Sequence, residues 1–143
     1  MGKNGVTGII VPLEAETIDR VLHHRPVVPL FVDEYPSDLE LGDRAFFLEV
    51  GGGKVLQAEG SVSSIARETV SQVRLYGNDL CLSSQELTNH VRSRSKSEGD
   101  QMLVLKIDQP TKYIRAIKCT IAVPRGGLYM TAERYFTILH ENQ

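Results

Sequence analysis

The stretch that decides the fold is Gly42-Asp43-Arg44-Ala45-Phe46-Phe47-Leu48-Glu49-Val50, then Gly51-Gly52-Gly53, then Lys54-Val55-Leu56-Gln57-Ala58-Glu59 and on to Ile65. A Gly-Asp turn opens a run of strand formers, three glycines reverse the chain, and a second run returns. Glycine reaches the positive φ values of a tight reversal, which a residue with a Cβ resists. Folding the runs about Gly52 pairs Leu48 with Leu56, Phe46 with Ala58 and Val50 with Lys54. It also sets Phe47 opposite Gln57 and Glu49 opposite Val55. One face, holding Phe46, Leu48, Leu56 and Ala58, is then apolar and the other mixed, the pattern of a half-buried hairpin.

Ahead of the hairpin, Val6 to Val11 reads as a strand ended by Pro12. Glu14 to His24 places Ala15, Ile18, Val21 and Leu22 on one side of a helix. Acidic residues begin that helix and His23, His24 and Arg25 close it, complementing the macrodipole, and Pro26 stops it. Val27 to Val32 is apolar but carries Pro29, which belongs at a sheet edge or bulge. Asp33 to Leu41 reads as an acidic loop.

Behind the hairpin, Gly60 marks a bulge or barrel corner. Thr69 with Gln72 and Ser83 with Glu86 are capping boxes, each opening a short helix, with Gly77 ending the first and Leu82 and Leu87 stapling the second. Arg92 to Gly99 reads as a mobile polar loop. Met102 to Ile107 is a strand that Pro110 ends, and Tyr113 to Val123 supplies one or two more segments. Thr131 caps a last helix whose apolar side is Tyr135, Phe136, Ile138 and Leu139. Five or six strands with short peripheral helices predict a single α+β domain over residues 1–143, built on a small, partly open barrel.

A chain of 143 residues is long enough for one real core. No stretch approaches the roughly 18 apolar residues of a membrane span, and the start carries no signal-like apolar region. Cys81 and Cys119 lie among apolar residues at no metal-like spacing, so two reduced thiols and a cytoplasmic protein are expected. The net charge of −2 argues against a uniformly basic nucleic-acid binder. It is unevenly spread: residues 1–82 hold seven Lys/Arg against twelve Asp/Glu, and residues 83–143 hold nine against six. A basic face built by the second part is compatible with that split.

Gly51-Gly52-Gly53-Lys54 invites a phosphate-loop reading, but Val55 stands where Ser or Thr is needed and a strand follows instead of a helix. It reads as a hairpin turn, with Lys54 left as an exposed charge. His23-His24-Arg25 reads as a solvated positive helix end, because adjacent residues on a helix point apart and seldom share a metal. No nucleophile elbow occurs, Ser61, Ser63 and Ser64 have no evident base, and Glu49 and Glu59 fall on the mixed face of the hairpin. No catalytic set, metal or cofactor is expected. Lys112, Tyr113, Arg115, Lys118, Arg125, Tyr129 and Arg134 mix cations with aromatic rings, which suits phosphates and stacked bases of single-stranded nucleic acid.

The order of elements, with Leu41-Gly42-Asp43 before an apolar strand and its return, resembles the PUA-like superfamily and its PUA, ASCH and EVE branches. With Leu103-Val104-Leu105 and Gly126-Gly127-Leu128-Tyr129, the whole chain is similar to an uncharacterised, mainly archaeal PUA-like family of unknown function. That resemblance implies a pseudobarrel of five to six mostly antiparallel strands, with a cleft beside the first helix that holds RNA or a modified base in relatives. The Gly-x-Lys-x-x-Glu-x-Arg pattern of the ASCH branch is missing, since the chain reads Leu22-His23-His24-Arg25-Pro26-Val27-Val28-Pro29, and Trp is absent. The hydrolase activity and modified-base cage of relatives therefore do not carry over. The expectation is an RNA- or nucleotide-binding module without catalysis of its own, lined by His24 and Arg25 on one wall and Lys118, Arg125 and Tyr129 on the other. A small hydrolase acting on a nucleoside or amide through His24 or a nearby carboxylate, and a protein-interaction module using the Pro29 edge, are the alternatives.

Overall fold

A computed structural model describes residues 6–31, 39–51 and 53–142. Its strands are β1 (Val6–Leu13), β2 (Val27–Leu30), β3 (Arg44–Glu49), β4 (Val55–Thr69), β5 (Gln101–Lys118) and β6 (Leu128–Thr131). They make one six-stranded sheet in the order β2-β5-β4-β3-β1-β6. Only β1 and β3 run parallel, and every other neighbouring pair is antiparallel. The edge strands β2 and β6 do not pair with each other, so the sheet stays open and is not a closed barrel. Pro29 sits on edge strand β2, where its missing N–H costs no ladder bond.

The hairpin register agrees with the sequence near the tip and departs from it farther down. Leu48 faces Leu56 and Glu49 faces Val55, but Phe47 faces Ala58 and Phe46 faces Glu59. Gln57 is an inserted residue, a β-bulge, so Leu56 and Ala58 lie on opposite faces of the sheet. Phe46, Leu48 and Leu56 pack with Ile10, Met130 and Ile138, whereas Ala45, Phe47 and Ala58 pack with Ile9, Val11 and Val62. Both faces of β3 are therefore core, and the expected single buried face is corrected to two. Val50 donates its N–H to Leu13 O at 3.0 Å instead of pairing with Lys54. Gly52, the expected tip, lies outside the described residues, as do Val32 and most of the acidic loop expected at 33–41.

Pro110 does not end a strand: β5 runs through it in a second bulge opposite Gly60. A Cβ on Gly60 would stand 2.4 Å from Ile107 Cγ2, so only glycine allows the two strands to meet there. Beyond Lys118 the chain leaves the sheet, and the strand expected toward Val123 is replaced by β6 at 128–131. Pro12 likewise falls within β1, where it faces Leu48 of β3 while β6 pairs only as far as Ile10.

Four helices accompany the sheet in the described residues: α1 (Ala15–Leu22), α2 (Val70–Arg74), α3 (Ser84–Ser93) and α4 (Ala132–Glu141). Both capping boxes form, and Thr131 caps α4. Leu87 and Val91 of α3 join Val70 and Val73 of α2 in a cluster over Met102 and Val104. Of the apolar side expected for α4 only Ile138 is buried, and Phe136 stays 68% exposed. The segment after α3, expected as a mobile loop, is hydrogen-bonded to its surroundings: Arg74 grips the Glu98 carboxylate with two bonds of 2.7 and 2.9 Å, and Ser97 N–H donates to Asp100 at 2.7 Å. Cys81 and Cys119 are free and buried, and burial pushes the Cys81 thiol up to about 12.

Candidate functional site

The end of β1, the start of α1, the tip of the hairpin and one side of α3 converge on an open cleft of about 930 Å³. Leu13, Leu30, Leu48, Leu82 and Val123 give it an apolar lining. Its polar groups come from three directions. Glu14 and Thr17 stand at the head of α1, Glu49 and Lys54 at the hairpin, and Glu86, Asn89, His90 and Ser93 on α3. Arg125 enters from the loop between β5 and β6.

Glu86 is fully engaged. Burial opposes its ionisation, but hydrogen bonds from Arg20 and from Ser83 outweigh that and hold the carboxyl below the usual carboxylate range. The Ser83 N–H lies 2.7 Å from it, and Arg20 also donates to Cys81 O at 3.2 Å. This pairing ties α1 to α3 and shapes one wall of the cleft. A carboxylate so held is a structural anion, not a poised base.

His90 is different. Its ring stacks on Phe31 with centroids 5.5 Å apart and planes 22° apart. Burial lowers its pKa, and the Arg94 and Arg125 charges lower it further, so the imidazole is neutral at pH 7. Arg94 Nη2 donates to Phe31 O at 3.1 Å, while its Nη1 is buried without a hydrogen-bond partner among the described residues. Lys96 Nζ lies 5.8 Å from the Phe31 ring centroid on top of this cluster.

Of the five residues expected to grip nucleic acid, Arg125 alone lines this cleft. His24 is exposed at the far end of α1 with φ +78°, and Arg25 Nη1 reaches Leu80 O at 3.5 Å. Lys118 faces Val55 at the end of β5, its backbone bonded to the Asn142 side chain. Tyr129 faces Ile9 in β6 and packs half-buried against the main core. The other basic and aromatic residues are likewise dispersed: Tyr113 donates to Glu59 at 2.9 Å beside Arg44, and Arg134 donates to Tyr129 O at 2.7 Å. His90 escaped the sequence reading, although Glu86, Asn89, His90 and Ser93 follow helical spacing and mark one polar stripe of α3.

A mixed six-stranded sheet with short helices and a cleft beside the first of them defines a PUA-like α+β domain. ASCH from Zymomonas mobilis shares this fold with a TM-score of 0.70 at 14% identity, over 96% of each chain. A point mutant of that protein gives 0.74 at 13% identity, over 97% of this chain and 99% of the other. The N-terminal domain of Staphylothermus marinus McrB gives 0.61 at 12% identity, over 100% of this chain and 99% of that one. Identities this low establish fold alone. Residues 6–132 match the family described as Domain of unknown function (DUF365), and the chain belongs to that family. Comparison with curated proteins returns no match. No helix among the described residues is long and apolar enough to cross a membrane.

Proposed function

We propose that this chain is a nucleic-acid-binding module that takes a nucleotide of single-stranded RNA into the cleft. The observation that carries the reading is an open, partly apolar cleft of about 930 Å³ edged by Arg125 and Lys54, neither of which pairs with an acid among the described residues. Apolar walls suit a base and unpaired cations suit its phosphates. Fold likeness to the ASCH protein and the McrB domain is compatible with this reading. His24, Arg25, Lys118 and Tyr129 then fall outside the first nucleotide and contribute only if the strand runs on over the surface.

A hydrolase acting on a nucleoside or amide is the second reading, carried by the neutral His90 imidazole in the same cleft. The protein-interaction reading loses support, because edge strand β2 has four residues and Pro29 leaves its outer edge short of one N–H donor. The test is a titration with single-stranded RNA at two salt concentrations, with the reaction mixture assayed for product. Wild-type affinity should fall with salt, and Arg125→Ala should bind more weakly with a slope shallower by about 0.7, one phosphate contact on a single strand. Arg25→Ala should change neither. Binding that ignores salt, or equal losses in both variants, would overturn the cleft assignment.

A further inference from the structure

The polar stripe of α3 presents two groups with different histories. Glu86 is spoken for by Arg20 and Ser83, whereas His90, one turn later, has no acidic partner among the described residues and has two guanidinium groups near it. Arg94 belongs to the end of its own helix, and Arg125 arrives from the loop after β5. Phe31 covers one face of the imidazole, and Lys96 adds a further positive charge above Phe31. Glu14 and Glu49 are the other carboxylates that line the cleft. Among the described residues, positive charge is thus concentrated at one side of the cleft without a paired anion, and a bound anion would relieve that repulsion.

We infer that His90 and Arg125, with the fixed charge of Arg94 behind them, form an anion subsite that takes one phosphate group of the bound nucleic acid and picks up a proton as it does so. The subsite deepens the reading of the cleft as a nucleic-acid site and rests on that reading for the source of the phosphate. Arg125 supplies a planar fork of donors, and Arg94, its Nη2 already committed to Phe31 O, supplies charge without moving. His90 supplies the proton linkage. In the free protein the ring is held below its ordinary pKa by burial and by the two arginines. An anion beside it acts in the opposite direction and favours the imidazolium. Binding and protonation therefore assist each other, and affinity rises as the pH falls through the His90 titration.

Sulfate is the probe, because it stays a dianion across the range and any pH dependence belongs to the protein. Histidine ring resonances are followed by NMR with sulfate added at constant ionic strength, between pH 5.5 and 7.5. The His90 signal is assigned by its loss in His90→Gln. Sulfate should raise the His90 pKa by about one unit and bind about fivefold tighter at pH 5.5 than at 7.5. The exposed His23, His24 and His140 should not respond. Arg125→Ala should lose sulfate binding, and His90→Gln should keep a weaker, pH-independent affinity. A His90 pKa indifferent to sulfate, or a pH dependence that survives in His90→Gln, would overturn the subsite. Should His90→Gln fail to fold, the ring is assigned by exclusion with His23→Gln, His24→Gln and His140→Gln, and its sulfate response in the wild type decides. RNA that binds in an Arg125-dependent way without moving His90 would sink the subsite and leave the nucleic-acid reading standing. Sulfate binding without RNA binding would do the reverse.

Discussion

Helix α1 is eight residues long, and its two ends do opposite work. At its N-terminal end Glu14 and the buried Thr17 line the cleft. At its C-terminal end His23, His24 and Arg25 finish the helix. His24 takes the left-handed conformation, and Arg25 N–H reaches back to Arg20 O at 3.0 Å, the reversal that glycine usually provides. His23 Nδ1 stands 2.8 Å from Asp19 O. Two histidines and an arginine in a row are conspicuous in a sequence, yet here they terminate a helix. The cations of the cleft, Lys54 and Arg125, come from distant parts of the chain and only the fold unites them.

The largest effect is expected from Leu48→Ala, which acts on the cleft end alone. Leu48 is 6% exposed, lines the cleft and packs with Phe46, Leu56 and Ile138. Its truncation should cost about 2–5 kcal/mol in denaturant unfolding, from lost transfer energy and the cavity left behind. Where the variant remains folded, Thr17 and His90 resonances should shift while those of His24 should not. A shift at both ends would mean that the two are not independent.

How much of this was legible follows the range of each interaction. The boxes Thr69–Gln72 and Ser83–Glu86 and the Thr131 cap are contacts across three residues, so the sequence displays both partners side by side. The Leu48–Leu56 pair and the bulge at Gly60 were readable because glycines fix the turn and the close approach. The Gln57 bulge was not, since Leu56-Gln57-Ala58 alternates as a regular strand does, and nothing local says that Ala58 changes face. The parallel pairing of β1 with β3 and the four-residue β6 depend on tertiary contacts with no local signature. Arg94 read as loop charge because its acceptor, Phe31 O, lies 63 residues away.

A smaller effect should come from Glu86→Gln, which loosens the tie between α1 and α3 at the cleft end. Gln still accepts the Ser83 N–H, so the capping box survives and only the ion pair with Arg20 is lost. The two side chains are 34% and 29% exposed, so the loss should be about 0.5–1 kcal/mol at neutral pH. Because the folded carboxyl titrates below the usual range, its stabilisation is complete above the unfolded pKa, near 4.3, and disappears as the pH falls through the folded value. Wild type and variant should therefore converge in acid. A gap that stays constant down to pH 2 would show that the carboxylate charge is not what ties the helices.

The smallest effect, and the one that bears most directly on the comparison, is His24→Gly. At φ +78° an L residue carries a steric penalty of about 1–2 kcal/mol, part of which glycine gives back through its larger unfolded-state entropy. The variant should gain about 0.5 kcal/mol, seen as a small rise in the denaturation midpoint without a change in slope. If the histidine is there to end α1, RNA affinity should not change, because the exposed ring lies outside the cleft lining. The opposite result has equal value. Affinity that falls in His24→Gly together with Arg25→Ala, while Arg125→Ala stays neutral, would move the nucleic-acid contact to the C-terminal end of α1 and leave the cleft to another ligand.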